Sequence, residues 1–146
     1  MAAQNNVPIT KEYFTKRLVE LCLKSALTGF PKDDLDHHIL LKSAVLMMGS
    51  PADFSEKEIN EKLEVWVVNV GHIQLMDHVT LRRRLIDMGY LTRKADGSCY
   101  QIAQPGPRPE YFEKKIDQLD ILAVITAARE EIARKKREYL EKSKGV

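Results

Sequence analysis

HVTLRRRLIDMGYLTRKADGSCYQI, residues 78–102, changes its period halfway along. In the first part Leu81, Leu85 and Met88 recur at helical spacing, with Ile86 at the edge of the same face. Asp77 stands where an N-cap belongs, Met76 and Leu81 form a hydrophobic staple, and Gly89 supplies the stop. Beyond it, "YLTRK" and "SCYQI" have strand-like composition and are joined by "ADG", so residues 91–102 read as a β-hairpin.

Working back from that helix, Ser55 and Glu58 form a capping-box pattern, and Phe54 and Ile59 hold the staple positions. A helix follows with Ile59, Leu63, Trp66 and Val67 on its buried stripe. Before it, residues 33–48 carry Leu35, Ile39, Leu40, Val45 and Met48 on an apolar side, and "GSP" at 49–51 ends that element. The first helix starts after Thr10. It carries Phe14, Leu18, Leu21, Cys22 and Ser25 at helical spacing and is expected to stop with Gly29 in the left-handed position before Pro31. Residues 109–142 read as one long helix, continuous or interrupted. The segment 119–128 is apolar almost all round, which requires burial in the core or in a dimer interface.

Helix, helix, helix and hairpin is the order of a winged-helix module. The expected fold is mainly α: a winged-helix-like three-helix core with a β-hairpin, plus an N-terminal helix and a long C-terminal helix. A chain of 146 residues suits one domain, with its core at 30–103 and the final helix at 109–142.

Composition excludes several classes. With 44% hydrophobic and 30% charged residues the chain is globular in type, and it has no apolar run of about 18 residues to cross a membrane. The start, "MAAQNNVPITKEY", lacks a basic region followed by an apolar stretch, so no secretory signal is expected. Cys22 and Cys99 form no C-x-x-C pair and are expected to be reduced thiols in a cytoplasmic protein. No phosphate loop, nucleophile elbow or metal-binding pattern appears, so neither catalysis nor a cofactor is expected. In "DDLDHH", residues 33–38, Asp33 and His37 share a helix face, as do Asp34 and His38. Two ligands do not close a metal site, and no third is in view.

Charge adds one clue. The net charge is only +2, yet residues 78–94 hold Arg82, Arg83, Arg84, Arg93 and Lys94 against the single acid Asp87. On a helical wheel Arg82 falls at the margin of the buried face, where Glu58 or Glu61 is expected to hold it. Arg83 and Arg84 project outward with Thr80 and Asp87. Arginine forks suit phosphates and guanine edges, and basic residues beside a hairpin tip suit the DNA backbone. Thr80, Arg83, Arg84, Arg93 and Lys94 are therefore the candidate contacts to double-stranded DNA. The alternative is a solvated helix face in a protein-interaction or dimerisation module, with the final helix joining two copies.

The motifs "FSEKEINEKL" at 54–63, "DHVTLRRRLIDMGYLTR" at 77–93 and "DGSCYQI" at 96–102 resemble an uncharacterised bacterial family, domain of unknown function 2087, over about residues 30–103. The resemblance implies a winged-helix-like architecture and, through the regulators to which such domains are sometimes attached, transcriptional regulation. Arg82 and Arg83 match the family motif, whereas Arg84 stands where its members usually carry an acid. The connection "VWVVNVGHIQLM" is longer than the family's, which implies a helix pair without a tight turn.

Overall fold

The structure is a computed structural model that describes residues 8–49, 53–104 and 106–144. Among them the chain is mainly helical, with one two-stranded antiparallel hairpin and a long C-terminal helix. The N-terminal stretch 1–7 and residues 50 and 51 of the "GSP" signal lie outside the described residues.

Helix α1, Lys11–Val19, starts where the Thr10 hydroxyl accepts the Tyr13 amide at 3.0 Å, and it buries Phe14 and Leu18. A π-helical turn, Glu20–Lys24, prolongs it and buries Leu21 and Cys22. The expected stop at Gly29 is corrected here. The left-handed residue is Ala26, with φ at 49°, and Ser25 is exposed with its hydroxyl on the Glu20 carbonyl at 2.9 Å. Past Cys22, Leu23 and Leu27 still pack, partly buried, against the core.

Helix α2, Asp34–Leu46, is the centre of the fold. Asp33 caps it by accepting the Asp36 amide at 3.0 Å, and Ile39, Leu40, Leu41, Ala44 and Val45 are all buried. Helix α3, Glu56–Trp66, opens with a complete capping box: Ser55 accepts the Glu58 amide, and the Glu58 carboxylate accepts the Ser55 amide. Trp66 closes α3 against α2. Its Nε1 donates to Ser43 Oγ at 2.8 Å, and that hydroxyl donates to the Leu40 carbonyl at 2.6 Å. A second π-helical turn, Val67–Gly71, runs on to His72, whose φ of 49° breaks the helix. This turn and the Ile73–Met76 loop account for the long connection before the next helix.

Helix α4, His78–Asp87, is capped by Asp77, which accepts the Thr80 amide at 2.8 Å, and buries Leu81 and Leu85. Gly89, at φ 87°, ends it. The Gly89 amide donates to Ile86 and the Tyr90 amide to Leu85, the paired bonds of a Schellman stop. Strand β1, Leu91–Arg93, then pairs with β2, Tyr100–Ile102, in the register Leu91 with Ile102 and Arg93 with Tyr100. Phe54 adds a one-residue antiparallel bridge to Tyr100 through two 2.8 Å bonds.

Of the helix expected over 109–142, the first part is not continuous with the rest. Two 3₁₀ turns, Pro109–Tyr111 and Lys114–Gln118, come first, and helix α5 spans Ile121–Lys144. The backbone around Phe112 is engaged elsewhere: Ile9 donates to Tyr111 O and accepts from the Glu113 amide, forming a parallel bridge. Those groups cannot also serve helical bonds. The segment 119–128 is not enclosed on all sides. Ile121 and Ile125 are buried, but Leu122 is 40% exposed, and residues 129–144 are exposed throughout.

Candidate nucleic-acid interface

The α4–hairpin surface is built by the helix stop at Gly89. The Schellman turn sends the chain straight into β1, so residues of α4 and of the hairpin meet across one shallow depression of about 180 Å³. Arg82, Arg83 and Arg93 line it together with Val79, Ile86, Asp87 and Tyr100. Thr80 and Arg83 lie on the exposed face of α4, and Arg93 is exposed on β1.

Each cation has a different setting. Arg82 is half-buried, donating from Nη1 to Asn60 Oδ1 at 2.6 Å and lying 5.5 Å from the centroid of the buried Tyr100 ring. Neither Glu58 nor Glu61 is its hydrogen-bond partner, because Glu58 is committed to its own cap. Arg93 packs on the same aromatic ring at 5.7 Å, beside Gly97. A Cβ at Gly97 would stand 2.7 Å from Arg93 Nη2, and its φ of 75° already favours glycine.

Arg84 leaves the group. Its guanidinium sits 4.8 Å from the Phe30 centroid, and Phe30 stacks on His37 at 5.2 Å. Burial, followed by the positive charge of Arg84, holds the His37 imidazole below its ordinary value. Lys94 is half-exposed and stands 3.9 Å from Asp53, whose other oxygen accepts from Gln101 at 2.5 Å. The structure thus gathers Arg82, Arg83 and Arg93, places Lys94 at the strand end beside an acid, and turns Arg84 away. Asn60 and Tyr100, which organise the face, were not readable as site residues, since no local spacing links position 60 to 82 or position 100 to 93.

The "DDLDHH" residues have structural partners. Asp36 accepts both Nε and Nη2 of Arg17 at 2.8 Å, while buried His38 shares a 2.6 Å hydrogen bond with the Tyr90 hydroxyl. Asp34 accepts the Tyr111 hydroxyl at 2.9 Å. Among the described residues no three His, Cys, Asp or Glu side chains are grouped so as to hold a metal ion. Both cysteines are free thiols, and burial pushes Cys22 up to about 12, which suppresses its nucleophilic thiolate. No described helix is long and apolar enough to cross a membrane.

No curated protein and no solved structure matches the chain. A family described as "Uncharacterized protein conserved in bacteria (DUF2087)" matches residues 26–102, which hold α2, α3, α4 and the hairpin. That is more than half of the chain, and it omits α1 and α5. The chain therefore belongs to this bacterial family, domain of unknown function 2087.

Proposed function

We propose that this chain is a winged-helix-like, cytoplasmic DNA-binding regulator that uses the α4–hairpin face on duplex DNA. The observation that carries the reading is the meeting of Arg83 and Arg93, from separate elements, around one depression whose edge is Arg82. Guanidinium groups supply charge to phosphates and a planar fork to guanine, and a base edge is reached only from an outward helix face. Thr80 and Lys94 flank the arginines. Asp87 reduces the local charge and disfavours strong non-specific binding. In this reading the protein performs no catalytic step and needs no cofactor.

The test is duplex DNA binding by fluorescence anisotropy at low and moderate salt, with the double variant Arg83→Glu/Arg93→Glu. Salt-sensitive binding lost in the variant supports the reading, and no binding at low salt overturns it.

A second reading, from the interaction class, is favoured by α5. This 24-residue helix is about 36 Å long and leaves Leu122, Ile132, Tyr139 and Leu140 exposed. In that reading α5 joins two copies of the chain. The Glu131–Arg134–Glu138 pairs along it also stabilise a lone solvated helix, so solution mass decides whether α5 joins two copies.

A further inference from the structure

A larger cavity, of about 580 Å³, opens between the C-terminal half of α2, the chain leaving β2 and the 3₁₀ turns. Its wall is apolar: Val45, Leu46, Ile102 and Phe112 line it beside the ring of Tyr90. Its charged groups are the cations Lys42, Arg108 and Lys114 and the single carboxylate Asp117, with Gln104 beside them. Lys42 Nζ is already satisfied by Asp117 at 2.8 Å and lies 5.7 Å from the Phe112 centroid. Among the described residues neither Arg108 nor Lys114 has a carboxylate partner, so two positive charges stand over an apolar wall.

Volumes of this order suit small molecules, and such sites combine an apolar lining with a few polar groups that orient the ligand. Arg108 lies 5.3 Å from the Tyr111 ring, a contact that restrains its guanidinium and lowers the entropy lost when it binds an anion. We propose that this cavity binds a small organic anion, with its apolar body against Val45, Leu46, Ile102 and Phe112 and its carboxylate or phosphate headgroup on Arg108 and Lys114. The inference stands independently of DNA binding. The occupant touches Ile102 of β2 and Tyr90, which lies in the link between α4 and β1.

The test is an amide NMR titration of the full chain with octanoate, octyl phosphate, octan-1-ol and inorganic phosphate. Expected are saturable shifts grouped at Lys42, Gly49, Ala103, Gly106 and Lys114, with the better amphipathic anion about tenfold tighter than octanol or phosphate. Octyl phosphate or octanoate binding tighter identifies the headgroup, and either order supports the proposal. Arg108→Ala/Lys114→Ala removes exposed side chains, so it keeps the melting temperature while losing about tenfold in affinity. The proposal is overturned if no saturable shift appears at these residues, if octanol or inorganic phosphate binds as tightly as both anions, or if the double variant binds unchanged.

Discussion

Gly71→Ala isolates the packing that joins α3 to the centre of the fold. A Cβ at this position would lie 2.4, 2.7 and 2.9 Å from three ring atoms of Trp66, far inside van der Waals contact. The ring has no room to yield, because Trp66 is fully buried and its Nε1 is tied to Ser43 at 2.8 Å. Either the backbone of the π-helical turn moves or the indole shifts and weakens that bond. Overpacking of this kind costs about 1–3 kcal/mol, with about 1 kcal/mol more if the hydrogen bond is lost. For a chain of this size the melting temperature should fall by about 3–12 °C. Trp66 is the sole tryptophan, so its own emission reports both the unfolding midpoint and the disturbed ring. Gly29→Ala is the control: nothing lies within 4 Å of its added Cβ and its φ is not positive, so stability should hold or rise slightly. A Gly71→Ala protein that melts with the wild type and keeps its emission spectrum would refute the packing argument.

Arg82→Ala should destabilise by about 1–2 kcal/mol through loss of the Asn60 bond and the Tyr100 contact, whereas exposed Arg83→Ala should be close to neutral; equal urea midpoints would contradict this. His37 and His38 are both held below their ordinary 6.5, chiefly by burial. The unfolded chain therefore takes up protons first as pH falls below about 6.5, and stability is lost until the folded-state imidazoles titrate. Denaturation should come at lower urea at about pH 5.5 than at about pH 7.5, with a smaller difference in His37→Phe; greater stability on the acid side would reverse the sign. If α5 joins two copies, Ile132→Asp should convert a dimeric mass to a monomeric one in sedimentation equilibrium; a wild-type monomer at high concentration contradicts that reading.

Signals written within a few neighbouring residues were legible in the sequence. The Ser55–Glu58 box, the Asp77 cap, the Gly89 stop and the Asp96-Gly97 turn each depend on contacts five or fewer positions apart. What escaped depends on distant partners or on a change of helical phase. The bridge between Ile9 and Phe112 takes the backbone groups that a helix over 109–120 would need, and nothing near either residue announces it. The π-helical turns after Val19 and Trp66 alter the period, so the α1 stop moves from Gly29 to Ala26. The apolar run at 119–128 predicts burial in the core or in a dimer interface; α2 fills the centre, leaving α5 only the narrow buried stripe of Ile121 and Ile125. At the candidate site, Arg82 is half-buried and Arg83 exposed, the separation that helical geometry predicts. Arg84 lies over Phe30, which stacks on His37, a setting that only the fold creates.

The most direct measurement of the central claim is the salt dependence of duplex DNA affinity. Arg83, Arg93 and Lys94 are the exposed cations of the face, and neutralising three phosphates gives a slope of about −2.7 in log affinity against log salt. Between about 50 and 200 mM salt, affinity should fall about 40-fold for one face and by about 10³ for two faces acting together. Arg83→Glu/Arg93→Glu should remove binding while lowering the melting temperature by only about 2–4 °C, through loss of the Arg93 contact with Tyr100. Salt-independent binding, undiminished binding by the double variant, or no binding at about 50 mM salt would contradict the account.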